Sequence, residues 1–350
     1  MRVWDTVKVR VRDIAARAGV SPSTVSNALN GREGVREEIA AQIQQLAESM
    51  GYVGNRANLK NSRKKHVRFV MFKRHGLVVM DTQFFAELVE SIERECRANG
   101  YDLLITHIHM MNDSDYQAQI RVICDEVCAG VIVLGTEMHK EDLMLFRHCV
   151  SPMIVLDNLF NHEEVHSVAI NNYDAGYKAV RELIACGHRR IGHITSRFEF
   201  NNMYYRRKGY EAALNANGLQ VSEANIWRVT PTLEGAYKDM IALLEQNPEM
   251  PTAFFAGNDI MAVGCIRALQ ERGVSIPEDV SVIGMDDLQL AQFCTIPLTT
   301  IKVFRQSLGI TAVRVLLSLL ERIDVGCALK TELGVELVRR ESVKTLETGT

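Results

Sequence analysis

Polar side chains stand directly after three short apolar runs of this chain. Asp157 follows MIVL, Gly257-Asn258-Asp259 follows TAFFA, and Asp286-Asp287 follows VSVIGM. Arg206 opens the stretch RRKGYEAAL. Carboxylates, an amide and a guanidinium facing one cleft suit a ligand rich in hydroxyls or ring nitrogens. Each buried polar group of such a site rejects analogues that lack its partner. Phe84, Phe85 and Phe160 offer aromatic faces to stack on a ring; plain core packing is the other reading of all three. For Arg206 and Asp286 the other reading is a structural ion pair.

A second group lies near the N-terminus, in the stretch 21–30. Ser21-Pro22 reads as a helix start, with Ser as N-cap and Pro at the first helical position. Pro22, Ser23 and, one turn later, Asn27 would then lead that helix. Asn pairs bidentately with adenine and Ser serves several bases. Ser21, Thr24, Ser26 and Asn30 suit phosphates. A small helical bundle with no DNA role would use the same caps.

The surrounding elements decide where these groups can stand. In VRDIAARAG, Val11, Ile14, Ala15 and Ala18 share one helical face, and Gly19 stops the helix. A second helix over Pro22–Leu29 turns Val25, Ala28 and Leu29 inward and ends at Asn30-Gly31. A third, over Glu37–Met50, turns Ile39, Ile43, Leu46, Ala47 and Met50 inward. Three short helices, the first two joined by a tight Gly-containing turn, describe a helix-turn-helix. Its second helix lies in the major groove. Residues 54–66 (GNRANLKNSRKKH) are polar and basic and read as a linker.

From Val67 the pattern changes. Short apolar runs (VRFVMF, DLLIT, GVIVL, MIVL, SVAI, RIGHI, TAFFA, VSVIGM) alternate with helical stretches such as NYDAGYKAVRELIACG. This alternation builds parallel, doubly wound sheets. The runs are too many for one sheet of usual size. Two α/β lobes with a cleft between them are expected, with ligands at the carboxyl ends of strands. The expected division is a helix-turn-helix domain at 1–53 and a hinge at 54–66. Lobe 1 is 67–168 plus 303–328, lobe 2 is 169–302 plus 329–346, and the chain crosses between them three times.

Charge separates the same regions. Residues 1–68 hold 13 Lys and Arg against six Asp and Glu, a net of +7. The whole chain is −3, so the rest carries −10. A basic head on an acidic body suggests that the head alone meets a polyanion; a solvated basic tail is the bland alternative. No run of 18 apolar residues is present to span a membrane. MRVWDTVKVR lacks the apolar core of a secretory signal, so a cytoplasmic location is expected. Eight cysteines are scattered without paired spacing, and Cys124 and Cys128 have no partners at metal-ligand spacing. Buried free thiols and no metal are expected. No G-x-G-x-x-G follows the first strand, and there is no P-loop and no G-x-S-x-G, which argues against an enzyme or a bound cofactor. Gly187-His188-Arg189 is adequate as helix C-cap chemistry.

VRDIAARAGVSPSTVSNALNG resembles the N-terminal signature of the LacI family of bacterial repressors. The matching elements are Asp13-Ile14-Ala15, Ala18-Gly19-Val20-Ser21, Thr24-Val25-Ser26 and Leu29-Asn30-Gly31. The resemblance continues through LAESMGYVGNR, GHRRIGHI, RRKGYEAAL, FFAGNDIMAVGCIRAL, DVSVIGMDD, PLTTI and LVRRESV. It implies an N-terminal all-α DNA-binding domain and a periplasmic-binding-protein-like sensor. The expected partners are operator DNA, a second copy of the chain, and an effector, by default a sugar or its derivative, with nucleosides or bases as alternatives. By the same resemblance Arg206, Asn258, Asp286 and Asp157 contact the effector, and Asn55, Arg56 and Leu59 belong to a hinge that meets DNA. The chain departs from the family pattern at Arg10 and Arg36, where Thr or Ser is usual, and at Gly54, where Pro is usual. Asn61 stands where the family has a minor-groove leucine, and Leu59 comes two residues early. Thr82-Gln83-Phe84-Phe85, preceded by Asp81, stands where the family has Asn-Pro-Phe-Phe. A periplasmic solute-binding protein would lack the helix-turn-helix. A regulator without a small-molecule effector is the remaining rival.

Overall fold

The structure, a computed structural model, describes residues 11–30, 35, 37–50, 66–79, 83–320 and 326–346. It divides at His66 into an N-terminal unit and a larger unit beginning at Val67.

In the N-terminal unit, α1 spans Val11–Ala18, α2 Pro22–Asn30 and α3 Glu37–Ser49. Ser21 caps α2: its Oγ accepts from Thr24 N at 3.0 Å. Gly19 makes the turn at φ +67°, a conformation that costs glycine nothing. Ile14, Ala15, Val25, Ala28, Ile43 and Ala47 form the small core. Ile39, expected inside, is 38% exposed. The inward stripe of α3 runs through Ala40, Ile43, Ala47 and Met50, and Ile39 sits about 100° around the helix from Ala40. The hinge residues Gly54, Asn55, Arg56, Leu59 and Asn61, with Arg10 and Arg36, lie outside the described residues. His66, counted with the linker, opens the first strand.

The larger unit alternates strands and helices in chain order: β1 (His66–Lys73), α4 (Gln83–Ala98), β2 (Asp102–His109), α5 (Tyr116–Asp125), β3 (Gly130–Leu134), α6 (Lys140–Leu143), β4 (Met153–Leu156) and β5 (His166–Ile170). The second series is α7 (Asn172–Ala185), β6 (Ile191–Ser196), α8 (Asn201–Ala216), β7 (Ile226–Val229), α9 (Leu233–Leu244), β8 (Ala253–Ala256), α10 (Asp259–Glu271), β9 (Ser281–Asp286), α11 (Gln289–Phe293) and β10 (Thr299–Lys302). Then come α12 (Arg305–Leu320), β11 (Lys330–Leu333) and β12 (Glu336–Val338). The strands form two six-stranded sheets, in the orders β11-β5-β4-β3-β1-β2 and β12-β10-β9-β8-β6-β7. β3 reads GVIVL and is buried at all five positions, as a central parallel strand covered on both faces must be. β12 alone among the paired strands of its sheet runs antiparallel, against β10.

Each sheet with its helices is one lobe, and the chain passes between the sheets after β5, after β10 and between β11 and β12. Two boundaries differ from expectation. Residue 168 falls inside β5, so the first passage comes after Ile170. Lys330–Leu333, assigned to lobe 2, pairs in parallel with Ser167–Ile170 and closes the edge of the first sheet. Its sequence KTEL is half-buried and polar, an edge pattern that carries no mark of which sheet it joins. α12 returns to lobe 1 and packs on α4 and on β3, β4 and β5.

Candidate functional site

Strand ends from both sheets meet at one cavity. β4 delivers Asp157, β8 delivers Gly257-Asn258, and β9 ends in Asp286. The polar wall is Thr136, Asp157, Asn202, Arg206, Asn258 and Asp286. The apolar wall is Val78, Phe84, Phe85, Phe200, Met203, Ile260 and Leu288. These side chains nearly fill the space, leaving about 40 Å³ open. That holds a few waters.

Arg206 lies in the second turn of α8, which begins at Asn201, earlier than the RRKGYEAAL stretch suggests. Two glycines bring it into position. A Cβ on Gly176 of α7 would stand 2.1 Å from Arg206 O, and one on Gly209 of α8 would stand 2.0 Å from Tyr173 O. α7 and α8 therefore touch backbone to backbone, a crossing open only to glycine. The contact sets Arg206 Nε 2.8 Å from Asn172 Oδ1, while Nη1 donates to Gly257 O at 2.5 Å. Arg206 is 5% exposed. Burial lowers its pKa, and Asp286, Asp157 and Asp259 oppose that shift.

Asp157 is buried with φ +60°. Its Oδ2 accepts from Thr136 Oγ1 at 2.7 Å. Its buried Oδ1 has no hydrogen-bond partner among the described residues, an uncommon and costly condition for a carboxylate oxygen. Burial pushes its pKa up to about 6, against the pull of Thr136, Arg206 and the nearby Asn202 amide. Asp286, at φ +114°, is likewise pushed to about 6 by burial, against Arg206 and Arg305. Asn258 caps α10, its Oδ1 accepting from Met261 N at 2.8 Å. The amide NH2 end is what remains for a ligand. Asp259 stands outside the wall. Its Oδ1 accepts from Thr300 at 2.6 Å and its Oδ2 from Leu288 N at 2.9 Å. It ties α10 to β10 and to the segment after β9.

Asp157, Arg206, Asn258, Asp286 and Phe84 thus come together on one cavity, with Phe85 beside them. Phe160 does not join them. It packs with Val131, Val133 and Val155, on the opposite face of the first sheet from Ile132, Leu134 and Ile154. Sequence reasoning missed Asn172, Asn202 and Glu137. Asn202 Nδ2 donates to Asp157 O at 3.1 Å, and its Oδ1 accepts from Asn172 Nδ2 at 3.2 Å. Asn202 sits one turn before Arg206, a spacing that could have flagged it. Glu137 accepts from four backbone N–H groups, those of His75, Gly76, Val78 and Val79, at 2.8–3.0 Å. Burial opposes its charge, but these bonds hold its carboxyl below the usual range. It fixes the loop that carries Val78 to the cavity, and no sequence signal marks it.

On α2, Ser21, Pro22 and Ser23 are exposed and Thr24, Ser26 and Asn27 half-buried. The Oγ of Ser21 lies 2.7 Å from that of Ser23 and 2.8 Å from Thr24 Oγ1. Hydroxyls clustered at a helix N-terminus with no acid in its first turn favour an anion. Asn30 closes α2. No cluster of His, Cys, Asp or Glu fit for a metal occurs among the described residues. Cys96, Cys124, Cys128 and Cys265 are buried free thiols, but Cys149, Cys186 and Cys294 are half-buried and Cys327 is exposed. The expectation of buried free thiols therefore holds at four positions and fails at the other four.

A helix-turn-helix unit joined to a two-lobed α/β unit with a polar cavity between sheets defines the class of helix-turn-helix transcription regulators. Residues 10–55 match the family described as bacterial regulatory proteins, lacI family, and residues 180–343 a periplasmic binding protein-like domain. The chain is 31% identical to the HTH-type transcriptional repressor PurR of Haemophilus influenzae, over 96% of its own length and 99% of the relative's. It is 31% identical to the repressor CytR of Escherichia coli, over 96% of each. Among solved structures, the lac repressor dimer bound to operator and the anti-inducer ONPF superposes with a TM-score of 0.72 at 22% identity, covering 96% of this chain and 99% of that one. The chain belongs to the LacI family.

Proposed function

We infer that this chain is a DNA-binding repressor whose operator affinity is set by a small polar effector held between the lobes. The observation that carries the reading is the cavity itself, where Asp157, Arg206, Asn258 and Asp286 converge beside Phe84. Two carboxylates around one guanidinium leave no surplus positive charge for a phosphate or carboxylate ligand. The buried, unpartnered Asp157 Oδ1 asks for an O–H or N–H donor. An uncharged sugar or sugar derivative meets both demands, and relatives in fold include a CelR–cellobiose complex. The aromatic side chains of the apolar wall, Phe84, Phe85 and Phe200, favour a nucleoside as second reading.

Pro22, Ser23 and Asn27 read base edges in the major groove, while Ser21, Thr24, Ser26 and Asn30 hold phosphates. Asn55, Arg56 and Leu59 belong to the hinge that meets the same DNA. The protein acts as a homodimer in the cytoplasm, setting two heads on half-sites about one helical turn apart. It binds and releases; it catalyses nothing.

A thermal-shift screen of the full chain against neutral sugars, sugar phosphates and nucleosides tests this. A compound at a hundred times its Kd adds about 2.7 kcal/mol of stability. A neutral hit whose effect needs Arg206 supports the reading. A blank across all three classes overturns it in favour of a regulator without a small-molecule effector.

A further inference from the structure

The two cavity carboxylates are built alike. Asp157 follows β4 in one lobe and Asp286 ends β9 in the other. Both have positive φ, +60° and +114°, and so does Asp287 at +54°. A non-glycine residue in that region holds its place only where neighbours over-determine it. In both cases the neighbour comes from across the cleft and grips the backbone carbonyl of the aspartate itself. Asn202, on α8 of lobe 2, donates to Asp157 O at 3.1 Å. Arg305, on α12 of lobe 1, donates through Nη1 to Asp286 O and, at 3.4 Å, to Asp287 O.

Neither gripping residue is explained by its own helix. Arg305 is the first residue of α12, where a positive charge meets the positive end of the helix dipole. What holds it is Glu87 of α4, whose Oε2 accepts from Nε at 2.8 Å. Gln83 completes the clasp: its Nε2 donates to Glu87 Oε1 at 2.7 Å and its Oε1 accepts from Gln289 N at 2.9 Å. Asn202 is 3% exposed and is held by Asn172, whose Oδ1 accepts from Arg206. One grip therefore starts from the cavity arginine, and the other from a fork whose planar donors reach a carboxylate and a carbonyl at once.

We propose that Asn202 and Arg305 are positioning residues that orient the two cavity carboxylates, each acting from the opposite lobe through the aspartate's backbone carbonyl. Each lobe thus sets half of the other's contribution to the cavity. The consequence for ligand selection rests on the effector reading above, but the grips themselves do not.

Hydrogen exchange on the ligand-free full chain, read by mass spectrometry at peptides 153–160 and 284–291, tests the proposal. Arg305→Met should speed exchange in 284–291 at least about fivefold and leave 153–160 unchanged. Asn202→Leu should do the reverse. Arg305→Lys, which reaches the carbonyl but cannot fork to Glu87 as well, should fall between parent and Arg305→Met. Glu87→Gln keeps an acceptor for Arg305 and should leave 284–291 near parent. An unchanged 284–291 in a folded Arg305→Met, or a general rise in both variants, would overturn the proposal. Because no ligand is added, a failed effector screen leaves these outcomes intact.

Discussion

Burial pushes the carboxyls of Asp157 and Asp286 up to about 6 from an ordinary 3.8. The folded chain holds their protons more tightly than the unfolded chain. Their stabilising contribution is complete below about pH 4 and is lost as pH rises through 6. For one group the difference corresponds to roughly 3 kcal/mol. Asp157→Asn removes it while keeping an acceptor for the Thr136 hydroxyl. The new amide's unpaired N–H offsets part of the gain, leaving about 1–2 kcal/mol of added stability at pH 7.5. Melting curves from pH 4 to 8 should show variant and parent converging toward acid. Parallel curves would mean that Asp157 is not a buried charge. The unfavourable charge is retained where a ligand donor would satisfy it, so the same variant should lose the effector response.

At the scale of elements, the crossing of α7 on α8 shows how packing builds the site. Gly209→Ala places a methyl 2.0 Å from a backbone carbonyl that cannot swing aside. The helices must separate, at a cost of about 1–3 kcal/mol, and Arg206 moves away from Asn172. Denaturant midpoints should fall and the effector response should go with them. Gly218→Ala is the control: nothing lies within 4 Å of its Cβ and only its φ of +71° is strained. It should cost about 1–2 kcal/mol and leave the response intact; the same loss in both would disconnect the crossing from the site.

α2 carries a second prediction at this scale. Asn27→Ala should weaken specific operator binding by about 1–3 kcal/mol, the worth of a bidentate base contact, with nonspecific binding at equal salt unchanged. Equal loss on both DNAs would remove Asn27 from base reading. Of the elements these predictions concern, α2 was legible from its N-cap and apolar face and α7 as a helical stretch between strands, whereas α8 starts at Asn201, before the stretch that marked it. The strand ends bearing Asp157, Asn258 and Asp286 were legible from the apolar runs before them. What stayed hidden has no period. Asn172 and Asn202 form an amide chain between helices, Glu137 anchors a loop through backbone N–H groups, and the edge strand β11 chooses its sheet by tertiary fit. Phe160 misled because an aromatic past a strand end can turn to either face.

For the molecule as a whole, the charge division leaves DNA affinity to the head with its linker and repulsion to the body, whose net charge is −10 against +7 for residues 1–68. An effector in the larger unit can then act on DNA only by differential affinity for two states of the chain. Typical coupling is about 1–3 kcal/mol, a factor of roughly 5–150. Linkage makes the effect mutual: if the compound found by the screen changes operator affinity by some factor, operator must change that compound's affinity by the same factor and in the same direction. Calorimetric titration of the compound into the full chain, alone and with operator duplex, measures one side, and operator binding with and without the compound measures the other. Matching factors support a single two-state coupling through the lobes. A change in operator binding with no reciprocal change in compound affinity would break that cycle. The compound would then be acting on the DNA or on the state of assembly instead.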